Sequence, residues 1–169
     1  MLKVGDIFFV EGKGWISKII RFITRGDKSH VGIMFETHIC FEADGIKGKT
    51  RFRPLSDYQY SDIIFRRLKT MNEQHRCHLQ SVCRGLEGSP YSYWDLVLNV
   101  IAAPMPKKWR HKFTTFLGNK KFLKCDEAVM LVIHKVTGYQ PFKKCERLNP
   151  SEMFKLIEKS GDFETVKIK

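Results

Sequence analysis

Two apolar runs, SHVGIMFE at 29–36 and HICFEADG at 38–45, lie nearly end to end with a break near Thr37. Both are β-rich, and so short a break predicts an antiparallel pair of strands. The rest of the chain has to be arranged around that pair. VGDIFFV at 4–10 and IIFRRL at 63–68 read as further strands, and the tail FETVKI alternates like a closing strand. Residues 51–58 (RFRPLSDY) read as a connection, because Pro54 excludes a central strand.

Helical spacing occupies the remainder. Ile16, Ile19, Ile20 and Ile23 line one face of a segment over 14–25, while Lys18, Arg21 and Arg25 fall off that stripe and Gly26 stops it. This is a helix packed on a core with a solvated basic face, in preference to a membrane-surface helix. Leu79, Val82, Cys83 and Leu86 mark a helix over 72–86, broken by EGSPY at 87–91. Ser92 and Asp95 resemble a capping box opening a helix that Pro104 and Pro106 end. CDEAVMLVIHKVTG at 125–138 reads as a mostly buried helix. Asn149, Pro150 and Glu152 start a last one that ends at Gly161. Strands first and helices later, with antiparallel pairing, give an α+β domain. At 169 residues, with thirteen Phe and three Trp to fill a core, the chain is one domain over 1–169. Intrinsic disorder is excluded for most of it.

Thirty Lys and Arg against eighteen acids give a net charge of +12, which favours an anionic partner without choosing among nucleic acid, anionic lipid and cell-wall polymer. No run of about 18 apolar residues occurs, so no membrane-spanning helix is expected. In the opening MLKVGDIFFVEGKGW, Asp6 and Glu11 interrupt the apolar residues and no small-residue cleavage site follows. It is not read as a signal peptide, and folding in the cytoplasm is expected. Five Cys in such a chain argue against a disulfide framework and raise the question of a working thiol.

Thiol catalysis needs a stabilised thiolate, an imidazole to exchange its proton and a polar group to orient that imidazole. A helix N-terminus favours an anion through its free N–H groups and dipole. Cys125 stands at such a start, just after Lys120, Lys121 and Lys124. Cys77 and Cys83 fall inside a helix, Cys40 in a strand and Cys145 in a Lys-rich loop. The plain alternative is that Cys125 is a small core residue. His30 opens a strand behind the polar loop Gly26, Asp27 and Ser29, and strand pairing would bring Glu42 beside it. The plain alternatives are a His without a role and a solvated strand Glu.

Four stretches carry a resemblance across nearly the whole chain: GDIFFVEG; TRGDKSHVGI; CFEADGIKG with RPLSDY; and FLKCDEAVMLVIHKVTG with LNPSEMFKLIEKSGDFE. In this order the sequence resembles the circularly permuted papain-like amidases of the NlpC superfamily, the YiiX/YebB-like group. The resemblance implies a permuted papain-like fold with the nucleophile helix packed against an antiparallel sheet. It implies Cys125 as nucleophile, His30 as general base and acid, and Glu42 as the residue that orients His30. It further implies cleavage of amide bonds through a thioester, often in cell-wall stem peptides, with the Cys125 N–H in the oxyanion site and no metal or organic cofactor. Asp126 stands where the family usually has Ser after the Cys. Tyr91, Asp6, Ser29 and Asp126 are the expected substrate contacts. A cytoplasmic start and a cell-wall substrate would require release by another route.

Other signals point elsewhere. His75, Cys77, His78 and Cys83 suggest zinc, but on a helix Cys77 points away from His75 and His78. The stretch 107–124 interleaves Trp109, Phe113, Phe116 and Phe122 with cations. It reads as an amphipathic helix with a buried aromatic face, or as a surface for single-stranded nucleic acid. The function expected is therefore a cysteine hydrolase of peptide amides. Acyl transfer or thioester and lipid ester cleavage by the same thiol is an alternative. A noncatalytic basic module for nucleic acid or an anionic surface is the reading from another class.

Overall fold

A computed structural model describes residues 1–14, 17–18, 21–22, 26–58, 62–92, 105–106, 109, 123–142 and 148–167. The expected helices over 14–25 and 92–103, the stretch 107–124 apart from its last residues, and Cys145 lie wholly or mostly outside them.

The described elements are strands β1 (Ile7–Glu11), β2 (His30–Met34), β3 (Ile39–Asp44), β4 (Lys49–Pro54) and β5 (Asp62–Leu68), helices α1 (Glu73–Leu86), α2 (Cys125–Thr137) and α3 (Pro150–Ser160), and strand β6 (Phe163–Val166). The strands form one six-stranded sheet in the order β4-β3-β2-β1-β5-β6. All its pairings are antiparallel. The architecture is thus α+β, with three helices among the described residues.

The period-2 alternation of strands sorts their side chains onto two buried faces. Ile7, Phe9, Val31, Ile33 and Phe41 meet Leu79 and Cys83 of α1, Val129, Met130, Val132 and Ile133 of α2, and Met153 and Ile157 of α3. Phe8, Val10, Met34, Cys40 and Phe65 gather with Tyr58 in a second cluster. The central strand β1 is buried on both faces, which is why VGDIFFV is a continuous apolar run rather than an alternating one. The helix ends follow their local chemistry. Asn72 caps α1 by accepting from the His75 N–H at 2.9 Å, and Asn149 caps α3 by accepting from the Glu152 N–H at 2.9 Å. Gly138 and Gly161 end α2 and α3 in the left-handed conformation, with φ of 66° and 70°.

One sequence expectation is corrected. Within the expected connection 51–58, residues 51–54 belong to strand β4, paired with β3 from Ile39↔Pro54 to Asp44↔Lys49, and Leu55–Tyr58 form a 3-10 turn. Pro54 is tolerated because β4 is the sheet's edge and Pro54 its last residue, so no interior ladder bond is lost. No helix among the described residues is long and apolar enough to cross a membrane.

Candidate active site

The site forms where β2 begins. Ser29 fixes the entry of the chain into that strand. Its N–H donates to the Val10 carbonyl at 2.9 Å, and its hydroxyl accepts from the Gly12 N–H at 3.2 Å. His30 follows, directly across from Val10. Continuing the Ile33↔Phe41 register along β2 and β3 places Glu42 across from Gly32, with His30 two residues along on the same face. Gly32 makes room there, since a Cβ on it would fall 2.5 Å from the Phe8 ring. Glu42 reaches the imidazole diagonally, and its Oε2 lies 2.9 Å from His30 Nε2.

Glu42 is a buried carboxylate, with 1% of its side chain exposed. The same Oε2 accepts the Tyr58 hydroxyl, while Arg51 Nε and Arg53 Nη1 each stand 3.5 Å from Oε1. Burial alone would push the Glu42 carboxyl up. The hydrogen bond and charge of His30, the Tyr58 hydroxyl and the Arg53 charge override burial and hold it at about 2. Burial likewise works against a charged His30. Hydrogen bonds to Cys125 and Glu42, with the charges of both, override it and raise the ring to about 10. Glu42 on Nε2 thus favours the charged form of His30, and Cys125 lines the same cleft.

These shifts fix a pH window for stability. A raised His stabilises fully below its ordinary 6.5 and loses that contribution as pH climbs through about 10. A depressed Glu stabilises above its ordinary 4.5 and loses that contribution as pH falls through about 2. Urea unfolding of the wild type is expected to give a lower free energy at pH ~9 than at pH ~6, with part of that slope removed in His30→Ala. Identical slopes in the two proteins would contradict the account.

Cys125 is the first residue of α2 and is 7% exposed. The helix start is held from both sides. Glu127 accepts the Lys124 N–H at 3.2 Å, and Lys124 Nζ donates to the Leu148 carbonyl at 3.1 Å. Just upstream, Leu123 bridges Tyr91, whose N–H donates to the Gly48 carbonyl at 2.8 Å. The turn after β3 is thereby tied to the approach to Cys125. Cys125, His30 and Glu42 line one cleft of about 200 Å³, with Ser29, Tyr91 and Ile46 among its other walls.

Of the expected substrate contacts, Tyr91 and Ser29 do line the cleft. Tyr91 packs on Gly45, where a Cβ would meet its ring at 3.3 Å. The Ser29 hydroxyl is already engaged by backbone, so it shapes the cleft more than it presents a free donor. Asp6 and Asp126, also expected as contacts, lie elsewhere. Neither lines the cleft. Asp6 is fully buried, with its two oxygens 2.7 and 2.8 Å from Arg67 Nε and Nη2. Asp126 is 1% exposed, with Lys124 Nζ 3.5 Å away. Burial raises the Asp126 carboxyl to about 6 against the opposing Lys124 charge.

The sequence reading misses Tyr58, Arg51 and Arg53, because it takes 51–58 as a connection. The available signal is the alternation in RFR, which puts both Arg on one face of a strand. Arg51 is the direct cross-strand partner of Glu42. The other thiols are accounted for structurally among the described residues: Cys40 and Cys83 are buried and free, and Cys77 is free and exposed. His75 is occupied with its helix start, its Nδ1 accepting from the Asn72 N–H at 3.3 Å.

No family model and no curated protein matches the chain. Among solved structures, the chain is similar to that of the metalloprotein YiiX from Escherichia coli O157:H7, DUF1105. That similarity has a TM-score of 0.64 at 17% identity and covers 99% of this chain and 97% of that one. The fold is YiiX-like. Among the described residues, no group of three or more His, Cys, Asp and Glu is placed to hold a metal ion. They do not fit such a group.

Proposed function

We propose that this chain is a cysteine hydrolase of the NlpC superfamily with a permuted papain-like fold. In this reading it cleaves amide bonds of cell-wall stem peptides or similar small peptides. The observation that carries the reading is that His30, bonded through Nε2 to the buried Glu42, shares one cleft with Cys125 at the start of α2. An imidazolium beside a sulfur is the partner a reactive thiolate requires.

In this reading Cys125 Sγ attacks the amide carbonyl carbon. As the C–S bond forms, the carbonyl electron pair moves onto oxygen. The Cys125 N–H, left without an intrahelical acceptor at the first position of α2, faces that oxyanion. The C–N bond then breaks, and His30 delivers its proton to the leaving amine. Water attacks the resulting thioester while His30 takes up a proton from it, and breaking the C–S bond returns the Cys125 thiolate beside the protonated His30 and frees the acid. Glu42 keeps the ring oriented through both halves.

The test is a panel of chromogenic peptide anilides and acyl esters, followed by intact-mass and peptide-mapping spectrometry. Chromophore release with a transient acyl adduct on Cys125, both lost in Cys125→Ala, supports the reading. Release unaffected by Cys125→Ala overturns it. Faster release on adding an amine acceptor, with acylated amine as product, assigns acyl transfer instead. The net charge of +12 favours one other reading, a basic module for an anionic polymer. Polymer binding that is unchanged in Cys125→Ala and falls steeply with salt would support that reading.

A further inference from the structure

We propose that Tyr58 is a positioning residue for the Cys125–His30 pair, acting through Glu42, so that its hydroxyl fixes the carboxylate that fixes the imidazole. This inference rests on the hydrolase reading.

A carboxylate bonded by one donor swings about its terminal torsion, which is broad and carries little intrinsic preference. A second donor on the same oxygen sets its plane. Glu42 Oε2 has two, His30 Nε2 and the Tyr58 hydroxyl. Its other oxygen, Oε1, makes no hydrogen bond among the described residues. Arg51 and Arg53 approach Oε1 only to 3.5 Å, supplying charge more than direction. Apart from the imidazole itself, Tyr58 is therefore the group that aims Glu42.

Tyr58 is built to hold still. It ends the short 3-10 turn Leu55–Tyr58 after β4 and is 9% exposed. Phe8 meets its ring edge-on at 5.5 Å, the Arg53 guanidinium covers it at 4.5 Å, and the ring runs nearly parallel to His30 at 6.0 Å. Arg53 is in turn fixed by Asp57 at 2.8 Å. Burial and the Glu42 charge push the Tyr58 hydroxyl well above its ordinary range, so it remains a donor at every pH where the site works. A ring needed only for packing would serve as Phe, whereas the hydroxyl is spent on a charged acceptor.

The test is iodoacetamide labelling across pH with peptide mapping, on wild type, Tyr58→Phe, Glu42→Gln and the double variant. Tyr58→Phe is expected to slow Cys125 labelling near neutral pH by about tenfold, since a hydrogen bond to a charged group is lost. It should also shift the acid limb of the profile upward, because Glu42 without this donor takes a proton more readily. Glu42→Gln should slow labelling at least as much, and adding Tyr58→Phe to it should change nothing further. Wild-type rate and profile in Tyr58→Phe, or the same tenfold slowing in the Glu42→Gln background, would overturn the proposal. If Tyr58→Phe does not fold, the comparison of Glu42→Gln with the double variant decides, because neither carries the buried charge. Fast labelling of wild-type Cys125 with no effect of Tyr58→Phe removes this inference alone. Wild-type labelling no faster than that of the exposed Cys77 removes the hydrolase reading along with it.

Discussion

Cys125→Ala is expected to lose about 10⁴-fold or more in kcat/KM on any substrate the wild type turns over, because the bond-forming atom itself is removed. Stability should change little, by about 1 kcal/mol, since only one buried sulfur is deleted. The sulfur's own contact at the helix start, to Asp126 Oδ1, is long at 4.0 Å, and the start is held by other bonds. Lys124 is held by the Leu148 carbonyl, and Glu127 by the Lys124 N–H. The measurement is steady-state turnover beside urea unfolding of the same preparations. Activity surviving in a folded Cys125→Ala protein would exclude the thiol from the chemistry. The combination of intact fold and lost turnover separates a nucleophile from a core cysteine, which would show the reverse.

Asp6→Ala is expected to show that reverse pattern. Asp6 is fully buried, and Arg67 grips it at 2.7 and 2.8 Å while the Lys3 N–H donates to it at 2.8 Å. Removing the carboxylate leaves a guanidinium whose side chain is only 16% exposed with the Met1 carbonyl at 3.0 Å and the half-exposed Glu164 at 3.7 Å, and without its buried counter-charge. Breaking such a pair costs about 3–5 kcal/mol. Urea unfolding should show that loss, while turnover per folded molecule stays near wild type. A stable Asp6→Ala protein with impaired turnover would return Asp6 to the substrate contacts.

Those two carboxylates show what sequence can and cannot carry. The motif stretches bring Asp6 and Glu42 forward alike, yet one pairs with Arg67, 61 residues away, and the other with His30. Partner choice is a tertiary property, and nothing local announces it. Glu42 was accessible because two strands joined by a tight break must pair, and pairing brings their side chains together at predictable offsets. Cys125 was accessible because a helix start has its own chemistry. The helix boundaries at Asn149 and Gly161 and the closing strand β6 were legible for the same local reasons. β4 was not, because the Pro54 rule excludes only a central strand and the sequence does not say that this segment is an edge. With β4 went Arg51, Arg53 and Tyr58, the groups that keep Glu42 charged and aimed. Asp126 does not line the cleft although it follows Cys125 in sequence and its Oδ1 lies 4.0 Å from the sulfur. On a helix the next residue points about 100° away, here into a buried contact with Lys124.

The central claim is that Cys125 and His30 form a reactive pair. The most direct test is the rate of Cys125 alkylation by iodoacetamide as a function of pH, in wild type and in His30→Ala, with each thiol followed by peptide mapping. The account predicts that wild-type Cys125 reacts fast near neutral pH, ahead of the exposed Cys77, and that His30→Ala removes this advantage while Cys77 is unaffected. Cys125 reacting no faster than Cys77, or equally fast without His30, would contradict it.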